Sequence, residues 1–97
     1  MSLSTLERWY ASQCNGKWEH GYGVHIETLD NPGWRMRIDL RDTRKQDCPL
    51  ETKRINRAEN DWIHYWSEKQ TFQIACSPLN LSEASEIFVR WFESESD

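Results

Sequence analysis

The chain has 97 residues and a formal charge of −4, which is length enough for one domain with a core of moderate size. Six Trp, three Tyr and three Phe gather the apolar area into a few large side chains, so a short polar chain can still build that core. No run is long enough to span a bilayer, and no charged segment followed by an apolar one marks an export signal, so a cytoplasmic location is expected. Cys14, Cys48 and Cys76 are odd in number and widely spaced, which argues for reduced thiols rather than a disulfide framework.

Residues 4–14 place Leu6, Trp9, Tyr10 and Gln13 on one face at helical spacing, with Leu3 a turn earlier. Ser4 fits an N-cap, Glu7 completes a capping box, and Asn15-Gly16 offers a left-handed stop. After a loop over residues 17–21, two strands are expected. Residues 22–29 alternate loosely, with Tyr22, Val24 and Ile26 on one face. From Trp34 onward the alternation is clean: Trp34, Met36, Ile38 and Leu40 oppose Arg35, Arg37, Asp39 and Arg41. Between them Asp30-Asn31-Pro32-Gly33 reads as a type II turn, with Pro32 presetting φ and Gly33 supplying a positive φ.

Residues 41–48 show no periodicity and read as a loop. Residues 49–57 read as an edge strand rich in charge, in which Leu50 and Ile55 do not share parity. A turn over 58–61 leads into residues 61–68, with Trp62, His64 and Trp66 on one side and Ile63, Tyr65 and Ser67 on the other. Lys69-Gln70 joins this strand to residues 71–77, where Phe72, Ile74 and Cys76 share a face. The closing helix carries Ala84, Ile87, Phe88 and Trp91 as its stripe, with Phe92 beside it, Asn80 as cap and Glu83 as the reciprocal box residue. Residues 94–97 are expected to fray.

This order implies an α+β fold: an antiparallel four- to five-stranded meander sheet with N- and C-terminal helices packed on one face, a two-layer sandwich. The other face, with Arg35, Arg37, Asp39 and Arg41, is left in water. Charge is unevenly spread. Residues 35–57 hold eight basic against four acidic groups, a local +4 that leaves −8 for the rest of the chain.

Catalysis would leave the sharpest trace. Cys48 and Arg54 have the C-x5-R spacing of a thiolate phosphate loop, but no glycine lies between them and no helix follows, so a chance spacing is favoured. Cys14 near His20 and His25 suggests a thiol–imidazole pair, yet a cysteine at a helix end is more often a small core residue. Cys14, His20, His25 and Cys76 match none of the usual zinc spacings, so neither metal nor cofactor is expected. Nucleic acid is a stronger competitor, through Arg35, Arg37 and Arg41 with aromatics for stacking. The acidic whole chain and the absence of a ribonucleoprotein signature weigh against it. The loop Trp18-Glu19-His20 puts an aromatic, an acid and an imidazole side by side where loops often carry recognition. Trp18 plugging the core edge, with Glu19 and His20 bonded to nearby backbone, is the competing reading.

The run RWYASQCNGKWEHGYGVHIETLDNPGWRMRIDL, residues 8–40, resembles the immunity protein 53 family of bacterial polymorphic-toxin systems. The shared pattern is long and dense, from Trp9 through Ser12-Gln13-Cys14, Gly16, Trp18-Glu19-His20 and Tyr22-Gly23 to Asp30-Asn31-Pro32-Gly33-Trp34. Asp61-Trp62-Ile63, Phe72 and the stretch from Asn80-Leu81 to Trp91-Phe92 agree more loosely, while residues 43–60 do not align. The resemblance implies a small cytoplasmic protein without enzymatic activity that binds a cognate toxin. Of the matching positions, Pro32, Gly33 and Trp34 have structural explanations. Trp18, Glu19, His20, Asp30 and Asn31 are the expected partner-binding residues.

Overall fold

The computed structural model describes residues 3–94. Its elements are α1 (Ser4–Gln13), α2 (Trp18–Gly21), β1 (Val24–Leu29), β2 (Gly33–Asp39), β3 (Leu50–Ala58), β4 (Asp61–Glu68), β5 (Thr71–Cys76) and α3 (Leu81–Glu93). The expected fraying of residues 94–97 falls on positions 95–97, outside the described residues; Ser94 itself accepts from Lys45 Nζ at 3.3 Å.

All five strands pair antiparallel, in the order β1-β2-β5-β4-β3. The α+β sandwich is as expected, but the strand order corrects the simple meander. β5 is the strand most suited to the centre, because Phe72, Ile74 and Cys76 are all at most 1% exposed. Inserting it beside β2 sends the charged β3 to the far edge. The loop over 40–49 makes that crossing along one end of the sheet, with Leu40 N–H bonded to Gln70 O at 2.9 Å. There it also closes the C-terminal end of α3: Arg44 donates to Phe92 O at 2.6 Å, and the buried Lys45 lies 5.1 Å from the centre of the Trp91 ring. Cations at that end oppose the negative pole of the helix.

Register fixes the faces. Ile38, Phe72 and Ser67 lie in one row across the sheet, and Met36, Ile74 and Tyr65 in the next. These look towards the helices, where Phe88 packs edge-on against Phe72 at 4.9 Å and against Trp9 of α1 at 4.8 Å. Both helices therefore cover one face. A register shift between Leu50 and Lys53 resolves the parity conflict in β3, turning Leu50 and Ile55 to the same inner side.

Two local expectations change. Gly33 does not take a positive φ; the turn is Asp30-Asn31-Pro32, and Gly33 already pairs with Leu29 as the first residue of β2. Its lack of a side chain serves a close approach instead, since a Cβ there would stand 2.4 Å from the Cys76 carbonyl oxygen. Neither helix has a side-chain cap bond. Leu3, not Ser4, holds the cap position of α1, where its carbonyl accepts from Glu7 N–H at 2.8 Å. Asn80 stands at the cap of α3, but its side chain is spent on other side chains: it accepts from Ser77 Oγ and donates to Asp61 and Glu83.

Candidate protein interface on the open face of the sheet

Among the described residues no helix crosses the outer face of the sheet. Reading the register across it, Glu27, Arg35, Ala75, His64 and Arg54 form one row, and His25, Arg37, Gln73 and Trp66 form the next. Trp62, His64 and Trp66 thus stand in line on β4, all half-buried, beside the small central Ala75. Their opposite neighbours Ile63 and Ser67 are buried, so β4 spends its aliphatic parity on the core and its indoles on the surface. The Trp62 and His64 rings are 5.1 Å apart, and His64 Nε2 lies 2.9 Å from Asn56 Oδ1. Trp66 Nε1 donates to Glu68 at 3.2 Å. Arg35 donates to Gln73, and Arg37 lies 3.9 Å from Glu27. A face of this kind offers large rigid contact area with guanidinium groups around it, the residue types that dominate binding energy in interfaces.

A polar cluster ties the β3–β4 turn to the start of α3, the helix on the inner side. Arg57 on β3 forks between Asp61, at 2.8 Å, and Glu83, at 2.7 Å, and Asn80 bonds both carboxylates. Hydrogen bonds from Arg57, and then from Asn80, hold the Asp61 carboxyl below the usual carboxylate range; Glu83 is lowered too, by Arg57 first. The Arg57 guanidinium is correspondingly harder to deprotonate, through Glu83 first and Asp61 second.

The residues expected to meet a partner are scattered. Trp18 is 3% exposed, with its ring 5.8 Å edge-on from Trp9 and its N–H donated to Arg41 O at 2.9 Å. It packs as a core residue, as in the competing reading in which Trp18 plugs the core edge. Glu19 faces inward along the chain, accepting from Asn15 N–H at 2.9 Å and Gly16 N–H at 2.7 Å. Its own backbone N–H first, and then these two bonds, lower its pKa, and Gly16 takes a φ of 89°. His20, Asp30 and Asn31 are exposed, but His20 precedes β1 and Asp30-Asn31 follows it. The length of a six-residue strand, about 20 Å, lies between them. Arg41 also leaves the row expected for it. β2 ends at Asp39, and the Arg41 guanidinium lies 5.7 Å from the Tyr22 ring centre.

The other candidate chemistry finds no assembly. Arg54 sits on a strand rather than in an anion-binding loop, and Cys14 Sγ is bonded to Tyr10 O at 3.3 Å. Burial pushes the Cys76 thiol up to about 11. Among the described residues no three His, Cys, Asp or Glu side chains are grouped to hold a metal ion. Sequence reasoning missed Trp62 and Trp66 because alternation set them on one side of the strand without telling which side faces out. The signal was the His64 between them, on the same parity.

A sequence model of immunity protein 53 matches residues 3–93, nearly the whole chain. The chain belongs to the immunity protein 53 family. The match extends across residues 43–60, where the sequence alone gave no alignment, and so covers β3 and the crossing loop of this family member. No curated protein and no solved structure matches the chain. No helix among the described residues is long and apolar enough to cross a membrane. Membership carries a toxin-immunity role in general; the surface that performs it has to be argued from the residues.

Proposed function

We propose that this family member, one domain acting in the cytoplasm without chemistry of its own, binds a cognate polymorphic toxin and inhibits it by occlusion. The carrying observation is the open sheet face, where Trp62, His64 and Trp66 stand between Arg35, Arg37 and Arg54 with no helix or strand among the described residues covering them. In this reading the two indoles are the anchors. The arginines steer and orient a toxin surface that carries acidic groups, and Asp30, Asn31 and His20 lie towards the rim. Single-stranded nucleic acid is the weaker reading. Arg41, one of the three arginines it relied on, has left the face, and the whole chain is acidic.

The test is co-expression with the toxin encoded beside this gene. The wild type is expected to restore growth and to co-purify with the toxin. Trp62→Ala and Trp66→Ala are each expected to weaken binding by roughly thirtyfold, about 2 kcal/mol. Binding unchanged in both variants would remove the sheet face from the interface, and a wild type that neither rescues nor co-purifies would refute the pairing.

A further inference from the structure

Two strands end the sheet, and they are guarded differently. β3 carries Glu51, Lys53, Arg54 and Arg57 along nine residues and has two register shifts. Charges and bulges of this kind discourage a further strand from pairing. β1 has no proline, no lysine and no register shift, and its Ile26 is 41% exposed. Its backbone polarity is set by Gly23, whose carbonyl accepts from Asp39 N–H at 3.0 Å. In an antiparallel ladder the N–H and C=O of alternate residues turn the same way. Gly23, His25 and Glu27 therefore turn towards β2. Val24, Ile26 and Thr28 turn outward, where no strand among the described residues receives them.

We propose that a second copy of this chain occupies this edge, its β1 pairing antiparallel with β1 about a two-fold axis at Ile26. Side chains select that register. With Ile26 opposite Ile26 of the second copy, the outward backbone groups of Val24, Ile26 and Thr28 meet as hydrogen-bonded pairs. His25 then falls opposite Glu27 of the second copy, and the symmetry repeats that contact. Centring the axis on Val24 sets His25 against Gly23, and centring it on Thr28 sets Glu27 against Leu29, so neither sets the imidazole against the carboxylate. Centring it on His25 or Glu27 aligns backbone groups already spent on β2. Glu27 also lies 3.9 Å from Arg37, an exposed contact weak enough to be shared. On the inner side, the same edge flanks a groove of about 590 Å³ between α1 and β1, lined by Leu3, Leu6, Tyr10, Val24 and Ile26. Leu3 and Tyr10 are each 39% exposed there, so the strand that extends the sheet also brings apolar side chains towards uncovered apolar surface.

Sedimentation of the full chain at roughly 100 μM, where a small edge contact is populated, tests this. The expected species has twice the 11.6 kDa mass of the chain. His25→Glu sets two carboxylates opposite one another, and Glu27→Lys removes the carboxylate that faces the imidazole; each is expected to weaken self-association roughly tenfold. An equimolar mixture of the two variants is expected to form a mixed dimer, because the carboxylate introduced by His25→Glu then faces the ammonium introduced by Glu27→Lys, while the second contact is the native pairing of His25 with Glu27. A monomeric wild type, a dimer indifferent to both changes, or a mixture no tighter than its components would each overturn the proposal. Amide exchange gives a reading that needs no variant. The N–H groups of Val24, Ile26 and Thr28 are expected to slow as wild-type concentration rises, and concentration-independent exchange would count against the edge.

Discussion

Gly33→Ala isolates a single steric contact. The new Cβ would meet the Cys76 carbonyl oxygen at 2.4 Å, whereas ordinary contact begins at 3.4 Å, so β2 and β5 must separate by 1.0 Å at that point. Both atoms belong to backbone held in the two central strands, so neither can swing aside as a flexible side chain would. Separation on that scale stretches the adjoining ladder bonds from about 2.9 Å to beyond about 3.5 Å, where they cease to count. Two bonds at about 1 kcal/mol each, or the usual overpacking penalty, give a loss of about 2 kcal/mol. For a domain of this size that lowers Tm by roughly 8–16 °C. Thermal melts followed by circular dichroism read it directly. Gly23→Ala is the control, since nothing lies within 4 Å of its added Cβ, and it is expected to stay within about 0.5 kcal/mol of the wild type. Neither glycine takes a positive φ, so backbone strain separates them in no way. Equal melting points for the two variants would refute the close-approach argument.

Trp18→Ala empties a site walled by Trp9, Tyr10 and Tyr22 and is expected to cost about 3–5 kcal/mol in urea unfolding. A change that left stability intact and reduced toxin binding would return Trp18 to the interface. The Asp61 and Glu83 carboxyls titrate below their unfolded values. Their contribution is therefore complete above the ordinary carboxylate range, near about pH 4, and is lost as pH falls through the lowered folded values. Arg57→Met is expected to flatten that acid-side loss when urea midpoints are compared across the range, and an unchanged slope would contradict the cluster's role. Cys14 is exposed while the Cys76 thiol is buried and raised to about 11. Alkylation of native protein near about pH 8 is expected to label Cys14 and to spare Cys76 until the chain unfolds.

Local pattern determined a great deal here. The parity of Trp34, Met36, Ile38 and of Phe72, Ile74, Cys76 named the inner side of two strands, because a strand has only two sides and a charged residue resists burial on either. The two terminal helices, the Lys69-Gln70 hairpin and the family pattern from Trp9 to Trp34 were equally readable from neighbours in sequence. Strand order was not. Whether β5 lies beside β2 depends on which strand loses most by exposure, a comparison between segments some thirty residues apart. The same limit hid Gly33's true constraint, which comes from the Cys76 carbonyl across the sheet rather than from its own turn. It also hid the fates of the tryptophans. An indole is apolar enough for a core and polar enough for a surface, so only the assembled layers decided that Trp18 is enclosed by helices while Trp62 and Trp66 face out.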